Sequence, residues 1–167
     1  PMSRPPHSIQ IQATVRLSPD VERRIHRVLT RAARSALEHA GAPPGSMAIR
    51  VVGDAAIRKL NRDFLGHDYA TDVLSFPADP LPDGERYFGD LALSLPRARA
   101  QAQAGGHALD DELRLLTVHG VLHLLGHDHD TPAHQRRMWR AQATILEALG
   151  SAVTAPKAVH AEPLAPR

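Results

Sequence analysis

Val73-Leu74-Ser75-Phe76-Pro77, followed after a gap by Tyr87-Phe88-Gly89-Asp90-Leu91-Ala92-Leu93, is the pair of segments on which the fold class turns. Both are short runs rich in strand-forming residues, and Pro77 stops the first. Residues 78–86 between them hold two prolines and one glycine, which predicts a long hairpin-type loop between two strands. Upstream, Ile9, Ile11, Ala13 and Val15 alternate with polar neighbours, the period of a half-buried strand, and residues 47–52 predict another. Between those two lies a helical stretch. Ser18 offers an N-cap before Pro19, and Val21, Ile25, Val28, Leu29, Ala32 and Ala36 recur at helical spacing until Gly41. A hairpin together with a strand–helix–strand crossover implies a mixed sheet.

The remaining elements follow from their punctuation. Asp54 reads as the cap of a short helix running to Phe64, and Pro96 opens another that ends at Gly105-Gly106. Residues 110–125 form a strongly apolar helix, and Thr131-Pro132 starts a last one ending near Gly150. The predicted order is β-α-β-α-β-β-α-α-α without internal repeat. The expected class is α+β: a mixed four-stranded sheet packed with helices, in a single catalytic domain over residues 9–150. Residues 1–8 read as a flexible Pro-rich leader and residues 151–167 as a disordered Ala/Pro-rich tail.

Composition narrows the chemistry. The 167 residues suit one domain, which at that size buries roughly 70% of its unfolded surface. The chain has no cysteine, which excludes disulfide scaffolds, thiol catalysis, iron–sulfur sites and cysteine-bearing zinc fingers. Twenty basic residues against 18 acidic give a net charge of +2, and every basic residue except Lys59 and Lys157 is arginine. The arginine fork suits phosphate, yet it also makes ordinary surface pairs. Arg23, Arg24, Arg27, Arg31 and Arg34 read as the solvated face of the first helix rather than an RNA-docking stripe. No apolar run approaches the ~20 residues of a membrane helix, and residues 1–6 lack the apolar stretch of a signal peptide, so a cytoplasmic protein is expected.

One constellation carries chemistry. Five of the 11 histidines fall between positions 119 and 134, centred on His119-Gly120-Val121-Leu122-His123-Leu124-Leu125-Gly126-His127-Asp128-His129. His119 and His123, four apart on a helix, project from one face, and both rings can reach one metal at ~2.0–2.1 Å. Gly126 allows the helix to end and the chain to turn back with His129 as a third ligand. Three neutral imidazoles leave a cation its full charge and one corner for water, the pattern of a catalytic zinc. The spacing matches the metzincin frame H-E-x-x-H-x-x-G-x-x-H, except that Gly120 stands where those peptidases carry their glutamate base. A metal-activated water attacking an acyl carbon or a phosphorus therefore remains, with peptidase chemistry disfavoured. Asp128 is the first candidate for a general base or for orienting an imidazole, with local backbone capping as its other reading. Asp72 and Asp90 are weaker candidates for the same role, with the shaping of strand ends as their other reading. Arg58, Lys59, Arg62 and the arginine helix at 23–34 are the first choices for phosphate-facing groups, most of them expected to be plain surface charge.

At these residues the chain resembles the bacterial YbeY family. Positions 119–129 match its signature H-G-x-L-H-L-x-G-[YH]-D-H at every fixed position. Residues 60–77 are similar to its L-N-x-x-[FY]-R-x-x-D-x-x-T-D-V-L-S-F-P segment, and residues 89–94 to its G-D-I-x-I-S strand. The resemblance spans about residues 46–150. It implies one Zn2+ held by His119, His123 and His129, a mixed sheet with helices lining a cleft, and single-strand-specific cleavage of ribosomal RNA. It further implies a role at the 16S 3′ end and in ribosome quality control, beside the ribosome or small-subunit assembly factors. The chain departs from the pattern at Leu65, where many members carry arginine; Arg62 lies three residues earlier. His127 occupies the variable position of the signature. Two other readings stay open: a metallohydrolase of peptide or acyl substrates, and a ribosome-associated binding protein with a structural metal. The last needs a fourth protein ligand such as His127, His134 or an aspartate.

Overall fold

The computed structural model describes residues 6–79, 82 and 86–154. Nine elements follow one another in the predicted order: β1 (His7–Ala13), α1 (Pro19–His39), β2 (Gly45–Val52), α2 (Asp54–Leu65), β3 (Val73–Pro77), β4 (Arg86–Ser94), α3 (Leu95–Gly105), α4 (Leu109–Leu124) and α5 (Pro132–Ala148). The sheet order is β1-β2-β4-β3, with β1, β2 and β4 parallel and β3 antiparallel to β4. The mixed sheet thus arises as expected, from crossovers on one side and the β3–β4 hairpin on the other. Residues 80–81 and 83–85 of the hairpin loop lie outside the described residues, as do residues 1–5 of the leader and 155–167 of the tail.

Alternation along the strands sorts two layers. Ile9, Met47, Ile49, Val51, Leu91, Leu93 and Val73 share the core with α1, α4 and α5. Leu74, Ala92 and Val52 belong to a smaller cluster with Ile57 of α2 on the opposite face. A one-residue register slip would exchange those two sets, so burial on both faces pins the pairing. Helix α4 packs against β3, β4, α1, α3 and α5. Leu113, Leu116, Val118, Val121 and Leu122 are all buried, which is why the apolar residues of the helix spread beyond a single stripe.

Several boundaries differ from the sequence reading, each for a local reason. β1 takes in His7 and Ser8 from the segment read as leader; the His7 ring is buried, its Nε2 3.2 and 3.1 Å from the carbonyls of Ala42 and Pro43, and Arg34 donates to the His7 carbonyl. Asp54 is the first residue of α2 rather than its cap, because its carboxylate accepts from Ser94 Oγ at 2.8 Å and lies 3.6 Å from Arg97. Residues 151–154 continue past α5 against the start of α4, where the Asp111 carboxylate accepts from Ser151 Oγ and the Ala152 amide, each at 3.3 Å. The arginines of α1 are largely solvated, but Arg24 holds Asp110 of α4 in a two-pronged contact of 3.0 and 2.9 Å. Among the described residues no helix is long and apolar enough to cross a membrane.

Candidate metal centre

The geometry of the centre begins with how α4 ends. Leu125 caps the helix, the Gly126 amide donates to the His123 carbonyl at 3.0 Å, and the His127 amide donates to that of Leu122 at 3.0 Å. This pair of bonds is the Schellman arrangement, which needs a left-handed residue, and Gly126 supplies it with φ +95°. The chain therefore reverses immediately after His123. Asp128 Oδ1 then accepts from the His129 amide at 2.7 Å, bracing the turn that carries the third imidazole back.

His119, His123 and His129 come together as the spacing predicts. The Nε2 atoms of His119 and His123 face each other at 3.1 Å, and one ligating atom from each of the three rings lies within 4.8 Å of the others. The His129 ring centroid is 6.0 Å from that of His119 and 5.4 Å from that of His123. His129 Nε2 is buried and has no hydrogen-bond partner among the described residues. Leaving such a nitrogen unsatisfied costs about 1–3 kcal/mol, and a cation shared by the trio removes that cost. The residues present thus fit a divalent ion. His123 is buried, while His119 and His129 are half-buried, so the centre borders solvent.

Helix α5 closes the back of the centre with two residues that the sequence reading missed. His119 Nδ1 donates to Gln142 Oε1 at 3.1 Å, and the Trp139 ring lies 5.8 Å from His119 and 5.9 Å from His129. The available signal was Gln142 itself, a polar side chain among the buried Met138, Ile145 and Leu146.

Other candidates are placed elsewhere. Gly120, the position that separates this site from the metzincin frame, faces the sheet: a Cβ there would lie 2.9 Å from Leu91 Cδ2 and 3.4 Å from Val73 Cγ2. Its carbonyl accepts from Ser75 Oγ at 3.1 Å. His127 lines a separate cavity with His39, Arg137 and Arg140; burial, assisted by Arg137, lowers its pKa from the ordinary value. His134 pairs with Asp130 at 2.6 Å on the surface, and that hydrogen bond holds the Asp130 carboxyl below its usual range. Asp72 Oδ1 accepts from the Val73 amide and Oδ2 from Gln101, shaping the start of β3. Asp90 is exposed and accepts from the Tyr87 hydroxyl. Arg58 is engaged by Asp68 at 2.9 and 3.3 Å, and Arg62 by Asp63 at 3.3 Å. Leu65, at the last turn of α2, is 40% exposed.

Comparisons with known proteins agree with this architecture. The family described as Endoribonuclease YbeY matches residues 9–150. A protein of that name from Chloroflexus aurantiacus is 41% identical over 153 residues, covering 86% of this chain and 96% of its own length. One from Solibacter usitatus is 53% identical over 96 residues, or 55% of this chain and 62% of that protein. A solution structure from Thermotoga maritima shares the fold, with TM-score 0.52, 19% identity and coverage of 95% of this chain and 99% of that one. With a match running almost from β1 to the end of α5, and a relative matched over nearly its whole length, the chain belongs to the endoribonuclease YbeY family.

Proposed function

We propose that this chain is a zinc-dependent endoribonuclease that cleaves single-stranded ribosomal RNA in the cytoplasm, beside the ribosome or its small-subunit assembly factors. The observation that carries the reading is the convergence of His119, His123 and His129, with His129 Nε2 buried and unpartnered among the described residues, in a member of this family. Three neutral nitrogen donors suit zinc and leave its charge uncompensated. When bound, such an ion supplies a Lewis acid for a phosphodiester oxygen and for water. The chain's own groups then hold and orient. His119 and His123 are fixed by the helix, His129 by the turn that Gly126 and Asp128 shape, and Trp139 limits the space beside two of the rings. Maturation of the 16S 3′ end and ribosome quality control are the roles we assign to this cleavage.

The alternatives fare less well. Peptidase chemistry of the metzincin type needs a base at position 120, and that position points into Leu91 and Val73. A closed structural site needs a fourth protein ligand, whereas His127 lines another cavity, His134 pairs with Asp130, and Asp128 Oδ1 accepts from the His129 amide. The test offers metal-quantified protein single-stranded RNA, duplex RNA and casein, with His123→Ala as control. Cleavage of the single strand alone, lost in the variant, is the expected result. Cleavage undiminished in His123→Ala, or casein as the preferred substrate, overturns the proposal.

A further inference from the structure

We propose that Gln142 is a positioning residue: its buried amide oxygen fixes the proton of His119 on Nδ1 and so presents the Nε2 lone pair to the three-histidine centre. The proposal rests on the reading of that centre as a cation site and extends it to α5. Gln142 has no solvent exposure and sits in the apolar stripe of α5 beside Met138, Ile145 and Leu146. Burying an amide is unfavourable unless its polar atoms are bonded, and a methionine would fill the same volume without that cost. The bond that Gln142 does make crosses from α5 to α4, from His119 Nδ1 to Oε1 at 3.1 Å. Its Nε2 has no hydrogen-bond partner among the described residues. What the side chain contributes at this position is therefore a single acceptor, aimed at one ring nitrogen.

A neutral imidazole carries one N–H and one lone pair, and the partner of one nitrogen decides the role of the other. A carbonyl oxygen can only accept, so the proton of His119 stays on Nδ1. Nε2 then carries the lone pair, 3.1 Å from His123 Nε2. Were the proton on Nε2 instead, it would occupy the lone pair that a cation needs. The acceptor is also neutral. A carboxylate there would add negative charge behind the ring and offset part of the cation's charge, whereas glutamine orients the ring and leaves that charge directed at the substrate.

The experiment uses the full chain, metal-free and nitrogen-15 labelled, with the ring nitrogens of His119 resolved in long-range proton–nitrogen spectra. A His119→Ala spectrum assigns the signals. The wild type is expected to show the proton on Nδ1 of His119. Gln142→Met is expected to lose that preference and to bind Co2+ about 10- to 100-fold more weakly, with thermal stability close to wild type, because the unpartnered amide nitrogen is removed while His119 Nδ1 loses its acceptor. Gln142→Glu, which keeps an acceptor, restores the tautomer. A wild-type His119 protonated on Nε2 overturns the proposal without any variant, as does Gln142→Met with unchanged tautomer and Co2+ affinity. Should Gln142→Met not fold, the wild-type and Gln142→Glu spectra decide. The RNA-cleavage reading fails separately, if the metal-loaded wild type leaves single-stranded RNA intact, and that result does not touch the tautomer.

Discussion

Replacing Gly120 by glutamate restores the metzincin spacing in full, and the structure says the result is an unstable protein rather than a peptidase. A Cβ at position 120 meets Leu91 Cδ2 at 2.9 Å, Leu91 Cδ1 at 3.0 Å and Val73 Cγ2 at 3.4 Å. Leu91 is 1% exposed, so its methyls yield only by disturbing the core. For Gly120→Ala, overpacking of about 1–3 kcal/mol is opposed by about 1 kcal/mol of helix propensity gained over glycine, leaving about 0–2 kcal/mol of net loss. Glutamate carries the same clash and adds a carboxyl with no partner against two aliphatic side chains, costing several kcal/mol more. The sum is about 4 kcal/mol or greater, a large share of the ~5–15 kcal/mol that holds a typical domain together. At about 2–4 °C per kcal/mol for a chain of this size, Gly120→Ala melts at most about 8 °C below wild type and Gly120→Glu at least about 8–16 °C below. Circular dichroism melts of the three proteins, with casein hydrolysis measured alongside in zinc, test this. A Gly120→Glu protein that melts within about 2 °C of wild type, or that hydrolyses casein, refutes the packing argument.

Other outcomes follow from the same geometry. Asp128→Asn keeps an oxygen for the His129 amide, so metal binding and RNA cleavage should both persist, whereas Asp128→Ala loosens the turn and weakens the metal. An Asp128→Asn protein that binds metal normally but has lost cleavage would instead make the carboxylate a base. Burial first, and then the hydrogen bond to Asp90, push the Tyr87 phenol up to about 12. The neutral phenol is the favoured form in the fold, so its contribution to stability is complete below the ordinary value of about 10 and is lost as pH climbs towards 12. Ultraviolet titration should show a late tyrosinate step that disappears in Tyr87→Phe; a titration of wild type complete near 10 contradicts it.

Much of the fold was legible because its signals are local. Ser18-Pro19 starts α1, Thr131-Pro132 starts α5, and glycines close α2, α3 and the turn after α4, each acting through neighbours one turn away. The sheet order was not legible. β2 pairs with β4 across the whole of α2 and β3, and nothing within either strand names its partner. Asp54 misled for a related reason: a carboxylate near a helix start reads as a cap, but Ser94, 40 residues away, is its hydrogen-bond donor. The buried His107–Glu112 pair at 3.5 Å escaped notice likewise, since an acidic first turn on α4 looks like an ordinary match to the helix dipole. The clustering of the three histidines was legible through spacing alone, two imidazoles one helical turn apart and a third after a turn-forming glycine. Its support from α5 was not, because contact between Gln142 and His119 depends on how two helices pack.

Trp139, the single tryptophan of the chain, lies 5.8 Å from His119 and 5.9 Å from His129 and so reports directly on the centre. Titrating metal-stripped protein with Co2+ while following its fluorescence should give quenching that saturates at one equivalent, is reversed by excess Zn2+, and is absent in His123→Ala. Fluorescence indifferent to both ions, or a His123→Ala protein that titrates like wild type, would mean that these three imidazoles do not share a cation.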